Sequence, residues 1–501
     1  MAVLFIEGFD KYGPANTVSA NVTALLNDGE WTNASGAISY SIVAPLSSTG
    51  QALQLNYTTG AVVLYKTLAT TYSRIIGGIR FSSNLAGSAN AGLGFASSGT
   101  QACTITINST GAISLRTGTY TGTALATSSS TVSANSAHYL EWDITIGASS
   151  AYQVWLDGVS VFSGTGNTGN SQTTINQLNF LGGTIGTNIQ YDDLYLFDNT
   201  GGTNNAVLNT NPRIETQFPN ADSSVQFSFG AAILGQAYQA VASTSAPGAN
   251  ELFLRKFTTG PTGQIASVAC IPNAVSGTAK FKAVVYADSA GSPTGSTLVT
   301  GAEVTGTTAN ATLVSAFSSP PTLSASTAYW LGFITDTFVQ LNQVDGTTTG
   351  AKATNTYGSG PPTNPTMTTG QPSWIIYGNM TGIAVDWYEV DVNPPPGDIS
   401  YVYASSSGYE DLYSFPALTT TPNNIYTVAV KGNIKKSDTG TRTIDLRMKS
   451  GGTDTGGSNP GQTPATTYGW MDSFFDTDPN TGVAWTPTGL NSAVSGVKVA
   501  S

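Results

Sequence analysis

Several pairs of carboxylates stand close enough along the chain to do chemistry together. Asp192 and Asp193 are adjacent in QYDDLYLFDNTGG, residues 190–202. Glu141 and Asp143 in YLEWDI, Glu389 and Asp391 in YEVDV, and Asp476 and Asp478 in FDTDP each skip one residue. Alternate residues of a strand share a face, so each skipping pair sets two carboxyls side by side. Retaining hydrolysis of a glycosidic bond needs such a pair at ~5 Å. Adjacent aspartates point to opposite faces, so only one of Asp192 and Asp193 can look into a given site. The rest of the inventory is short. His138 is the one histidine, and the chain has no Gly-x-Ser-x-Gly elbow for a nucleophilic serine. Cys103 and Cys270 lack the basic neighbours that lower a thiol pKa, and they read as small buried hydrophobes. No catalytic set is expected.

The composition limits the partners. The chain has 501 residues, a net charge of −11, 40% hydrophobic residues and only 9% charged ones. An average soluble domain carries ~25% charged residues. Here Gly, Ser, Thr, Ala and Asn fill the gap, which suits a protein packed in a large extracellular assembly. No region carries a basic stripe, so binding nucleic acid by neutralising phosphates is not expected. The opening MAVLFIEGFD lacks the basic region of a secretory signal, and no run reaches the ~18 apolar residues of a membrane span. The expectation is synthesis in a host cytoplasm, without membrane insertion.

Short runs rich in Val, Ile, Thr, Tyr and Phe recur between Gly/Asn/Ser/Pro turns, the pattern of an all-β protein. Hairpins are predicted at Thr59-Gly60, at Asn108–Gly111 and at Asp157-Gly158, the last a strong two-residue turn signal. Tyr139, Glu141 and Asp143 alternate with Leu140, Trp142 and Ile144, which predicts a strand with one solvated face. Trp142 and Trp330 are expected in cores. A second module spans about 235–385, with GQIASVACIPN, AKFKAVVYADSAGSPTGSTLVTG and TAYWLGFITD as its strands. The stretch IYTVAVKGNIKKSDTGTRTIDLRMKSGG predicts two strands paired with each other.

Taken in order, YLEWDI, YQVWLDGVSV and the closing YDDLYLFD resemble the concanavalin A-like, laminin-G-like sandwich. In that family the terminal strand pairs near the first and closes the sheet. The segment KFKAVVYADSAGSPTGSTLVTG…YWLGF resembles a small jelly-roll module of phage tail and other surface proteins. RIETQFPN and YEVDVNPPPGDISYV…EDLYSF resemble one uninterrupted stretch of tailed-bacteriophage virion proteins. The fold class that follows is all-β, built of multi-domain β-sandwiches: a concanavalin A-like domain over 1–203, a discontinuous C-terminal β domain over 204–234 and 386–501, and an inserted jelly-roll module over 235–385.

What the resemblance implies about function is also specific. Relatives of this fold hold a calcium ion, and Glu7, Asp10, Asp192 and Asp193 would be its ligands if the first and last strands lie together. No other cofactor is implied. Sugar binding would use exposed aromatics, with Trp31, Trp155 and Tyr191 as the candidates. Family glucanases use Glu-x-Asp-x-x-Glu, and both Glu141-Trp-Asp143-Ile-Thr-Ile146 and Glu389-Val-Asp391-Val-Asn-Pro394 fail at the third carboxylate. The implied protein is therefore a non-enzymatic structural component of a phage virion, on the tail tip or a fibre. It would attach to a host surface glycan, contact other virion proteins and form a homo-oligomer, a trimer more than a dimer. The alternatives are a capsid decoration protein without a receptor role and a carbohydrate-active enzyme on the same fold.

Overall fold

The computed structural model describes residues 3–13, 30–33, 39–47, 50–56, 62–86, 91–182, 188–235, 241–245, 247–275, 277–337, 339–344, 348–381, 386, 390, 391, 393, 395, 398 and 400–501. The protein is almost entirely β, and its sheets are antiparallel. Its contacts divide it into two units, one of residues 1–15, 19–217 and 415–501, the other of 16–18 and 218–414. The joints thus fall at 217/218 and 414/415, and the C-terminal segment belongs to the same unit as the N-terminal sandwich.

That sandwich is two stacked sheets. The first runs Val159–Gly166, Ser150–Leu156, His138–Thr145, Arg74–Ser83, Asn188–Phe197, Ala52–Asn56 and Ser39–Val43, with Val3–Glu7 also paired to Asn188–Phe197. The first strand therefore lies beside the last, with Val3 opposite Phe197 and Glu7 opposite Leu194. The second sheet runs Ala124–Thr131, Ala112–Thr117, Thr100–Ile107, Ala91–Ser97, Ile175–Leu181, Val62–Tyr72 and Thr32–Asn33. Alternation explains the core between them. Trp142, Ile144 and Val154 from one sheet meet Phe95, Ile105, Leu115 and Phe180 from the other, all buried. Asp157 and Gly158 both take positive φ, as the tight hairpin between Ser150–Leu156 and Val159–Gly166 requires. Asn108 Oδ1 accepts from the backbone of Thr110 and Ala112 and so shapes the hairpin before Ala112–Thr117. The expected Thr59-Gly60 turn lies outside the described residues.

Residues 415–501 complete this unit. Val428–Ile434 pairs with Gly469–Phe475, while Ile444–Ser450 pairs with Thr453–Thr455 and Val494–Val499. The two strands of IYTVAVKGNIKKSDTGTRTIDLRMK therefore do not pair with each other, contrary to expectation. Gly469–Phe475 offers the first of them an unbroken seven-residue register, and the long polar loop between the two lets each find its own partner.

In the second unit, one sheet runs Ser292–Thr300, Ala279–Ser289, Ala328–Thr335, Glu251–Thr258, Gly350–Thr354 and Thr368–Gln371. Another runs Leu313–Ala316, Gly263–Cys270, Ile376–Thr381, Ser228–Gly235 and Tyr401–Tyr403. Phe253, Phe281, Phe333, Trp374 and Ile265 fill the space between. Trp330 is buried, as expected, and its indole donates to Asp288 Oδ1 at 2.7 Å. Cys103 and Cys270 are both buried and unbridged, one in each unit, and burial pushes both thiols up.

Candidate functional site

The outer face of the eight-stranded sheet shows what covering does to polar residues. Trp155, Glu141, Gly78 and Tyr195 stand side by side on four neighbouring strands. Because Gly78 carries no side chain, the Tyr195 hydroxyl reaches across it and donates to Glu141 Oε1 at 2.6 Å. A Cβ at Gly78 would come within 2.6 Å of the Tyr195 ring. The same oxygen accepts from the backbone N–H groups of Leu208 and Asn209 at 3.1 and 3.0 Å. The chain leaving the sandwich is tied down further along, where Ile214 donates to Asp193 Oδ1 and the Arg80 guanidinium donates to the Asn211 and Pro212 carbonyls. Val207, Leu208 and Phe474 pack on Tyr139, Tyr195 and Phe197. This corrects the expectation of a solvated strand face: Glu141 is fully buried, because the sheet carries a second apolar layer on its outside. Asp143, one step along, stays half-exposed and is held by Arg74 at 2.7 and 2.6 Å.

The four expected calcium ligands are all buried, and each already has partners. Glu7 turns to Lys11, the Tyr12 hydroxyl and the Phe9 N–H. Asp193 pairs with Arg80 at 2.8 Å. Asp192 accepts from the Leu46 and Asp193 N–H groups, and Asp10 accepts from the Gln51 N–H and the Thr216 side chain. Calcium needs six to eight oxygens around one point. Among the described residues no group of three or more His, Cys, Asp or Glu could hold a metal ion, so the set does not fit calcium. What the sequence did not reveal is the ionic cluster around Glu7. Lys11 bridges Glu7 and Glu30, and Lys431 lies 2.9 Å from Glu30 and 3.6 Å from Glu7. Burial raises the Glu30 carboxyl, but the ammonium groups of Lys11 and Lys431 outweigh it and hold Glu30 well below the usual range. Glu30 and Lys431 are 401 residues apart, so no local signal could join them.

Two of the three expected sugar-binding aromatics are corrected by the same packing. Trp31 lies in the core against Phe5, Phe9 and Phe180. Tyr191 stacks on Phe180 at 4.4 Å and donates inward to the Gly92 carbonyl. Neither ring can meet a ligand, because alternation turned both into the sandwich. Trp155 is half-buried on the outer face. His138 spends both ring nitrogens locally, one accepting from Ser133 N–H and the other bonded to Asp157 Oδ2 at 2.8 Å. Asp476 accepts from Asn204, and Asp478 shapes the turn to Asn480. Glu389 lies outside the described residues, and burial raises Asp391 to about 7.

The outer face of the seven-stranded sheet is different. Across seven strands, Thr32, Tyr65, Asn179, Gly94, Thr104, Arg116 and Ala124 stand in one row. Directly opposed residues share a face, and their neighbours Leu64, Phe180, Leu93, Phe95, Cys103, Ile105 and Leu115 fill the core. The Gln101 amide lies against bare Gly94, where a Cβ would strike it. Gln101 Oε1 and Nε2 and Asn179 Oδ1 are buried and have no hydrogen-bond partner among the described residues. Thr104 donates to the Gly118 carbonyl at 2.6 Å. The Arg116 guanidinium is set by Thr106 Oγ1 at 3.3 Å and the Gly122 carbonyl at 3.0 Å. The polar alternation of TQACTITI and AISLRT carried the signal for this face, but not the convergence of its amides on Gly94.

Two stacked sheets closed by pairing of the first and last strands make this part of the chain an antiparallel β-sandwich. No family model and no curated protein matches the chain. Among solved structures it is similar to the carbohydrate binding module CBM66 from Bacillus subtilis, at 9% identity and a TM-score of 0.25, covering 34% of this chain and 98% of that one. It is also similar to the cellulose-induced protein Cip1, at 12% identity and a TM-score of 0.26, covering 33% and 90%. The endo-beta-1,4-glucuronan lyase of the fungus Trichoderma reesei aligns at 14% identity and a TM-score of 0.26, covering 34% and 93%.

Proposed function

We propose that the protein is a non-enzymatic, glycan-binding structural component of a tailed-phage virion, and that it binds sugar on the outer face of the seven-stranded sheet. The observation that carries the binding role is three buried amide atoms without a partner among the described residues, Gln101 Oε1 and Nε2 and Asn179 Oδ1, beside Gly94. A buried polar atom without a partner costs about 1–3 kcal/mol, so hydroxyls that satisfy these amides gain affinity from a cost the fold already carries. Sugars present such hydroxyls as both donors and acceptors, and the amides supply both complements. Turning the long Gln101 side chain outward exposes both of its polar atoms and opens the bare backbone at Gly94 to close approach.

Hydrolysis is not favoured by the same geometry. The described residues of this row include no carboxylate. Glu141 and Asp143, the sandwich's Glu-x-Asp pair, are committed to backbone N–H groups and to Arg74. The virion setting rests on the resemblance of RIETQFPN and YEVDVNPPPGDISYV to tailed-phage structural proteins.

The test is an array of bacterial surface oligosaccharides, neutral and acidic, probed with the full chain and with the Gln101→Ala/Asn179→Ala double variant. Binding by the parent that drops about tenfold or more in the variant, with melting unchanged, is the expected result. No bound glycan, or binding indifferent to both amides, would end this reading. Release of reducing ends would turn the reading to an enzyme. Immunogold labelling of host-derived particles that leaves tails and capsids bare would remove the virion setting.

A further inference from the structure

We infer that the glycan taken by this face is acidic, with a sugar carboxylate set on Arg116. The inference rests on the glycan-binding reading above and goes on to the ligand's charge. Its observation is separate from the amides. In this unit Arg74, Arg80, Arg213, Arg442 and Arg447 each pair with a carboxylate, namely Asp143, Asp193, Glu215, Asp438 and Asp454. Arg116 has no carboxylate within ion-pair distance among the described residues, although the chain carries an excess of eleven acids.

Arg116 is also held in place. Its Nε donates to Thr106 and its Nη1 to the Gly122 carbonyl, which uses two of the five guanidinium donors. The remaining donors form part of a planar fork, and such a fork matches a carboxylate better than it matches a hydroxyl. The row around it is buried at Thr104, Gly94 and Asn179 and half-buried at Tyr65. Thr104, Gly94 and Asn179 follow on the next three strands, and Tyr65 stands on the fourth. At ~4.8 Å per strand the row from Arg116 to Tyr65 spans roughly 19 Å, the reach of an oligosaccharide and not of a single sugar. On the cation's other side, the Ser114 and Thr127 hydroxyls are bonded to each other at 2.9 Å. Hydroxyls therefore flank one held cation, with amides two and three strands along the row, and the described residues of the row include no acid to repel an anionic chain.

The experiment titrates the full chain with two probes, tetragalacturonate and tetraglucuronate, each beside its carboxyl-reduced neutral form. At least one acidic probe should bind at least about tenfold more tightly than its neutral form, as loss of a charge-assisted pair implies. That preference should fade with added salt. Arg116→Ala should erase the preference, bringing the acidic form down to the affinity of its neutral counterpart. Arg116→Lys, which keeps the charge without the fork, should restore part of it and guards against a folding artefact. If neutral forms bind as tightly as acidic ones, or if Arg116→Ala weakens both alike, the ligand is a neutral glycan: the acidic inference fails and the glycan-binding reading stands. If Arg116→Ala changes nothing while Gln101→Ala abolishes binding, the inference fails in the same way.

Discussion

The sandwich has two outer faces built on the same plan, and they treat polar groups in opposite ways. Each has a glycine in the middle of a cross-strand row. At Gly78 the empty space lets Tyr195 bond Glu141, and the chain at Leu208 and Asn209 closes over both. At Gly94 the empty space is occupied by the Gln101 amide, which has no hydrogen-bond partner among the described residues, and the same holds for the neighbouring Asn179 oxygen. On the first face Glu141 Oε1 is spent on holding the chain together, while its Oε2 is buried with no partner among the described residues. On the second, hydrogen-bonding capacity is left over. The first face is closed by its own chain through Glu141 Oε1, whereas neither polar side-chain atom of Gln101 on the second is used by the described residues.

This contrast can be broken in three places. The largest effect is expected from Glu141→Leu. It leaves the Tyr195 hydroxyl and the Asn209 N–H without their acceptor, while the Leu208 N–H keeps the Tyr195 oxygen, a loss of about 2 kcal/mol by the usual cost of unmade bonds. Urea unfolding would measure it, and a loss below about 1 kcal/mol would mean that the covered face is not held by this carboxylate.

Next in size is a pH effect at the covered end of the eight-stranded sheet. Burial, with Asp193 nearby, pushes the Asp192 carboxyl up to about 8, and burial pushes Asp10 up to about 7. In the unfolded chain both titrate near ~3.9. The folded protein therefore keeps protons that the unfolded chain has released. The stability they contribute is full below about pH 4 and is lost as pH rises through 7 and 8. Melting temperature should fall between pH 5 and 9, and Asp192→Asn should flatten that fall. A slope that Asp192→Asn leaves unchanged would place the titration elsewhere.

The smallest effect is expected from Gln101→Leu on the other face. Removing an amide that bonds nothing should leave stability unchanged or raise it by about 1 kcal/mol, even as it removes glycan binding. A clear loss of stability on denaturation would show that Gln101 is as structural as Glu141, and the two faces would no longer differ in kind.

Much of the architecture was legible in the residues. Period-two alternation around Trp142 and the Asp157-Gly158 pair specified a sandwich strand and a tight hairpin, because both depend on neighbours in sequence. The acidic-aromatic stretch at 190–202 marked the closing strand, and it does lie beside the first. Alternation alone could not say which face of a strand meets water. Trp31 and Tyr191 looked like ligand contacts and are core, while Glu141 looked solvated and is buried. The reason is that a side chain's environment is set by whatever packs on its sheet, and here that was Leu208 and Phe474. The sequence by itself determined the strands, their turns and the all-β class, since these follow from local periodicity and backbone preference. Only the tertiary structure decided that Lys431 neutralises Glu30 from 401 residues away, that Gln101 rests on Gly94, and that Arg116, unlike its unit's other arginines, has no carboxylate partner among the described residues. Charge pairing and burial are fixed by distances in space, and those distances exist only once the sheets have stacked.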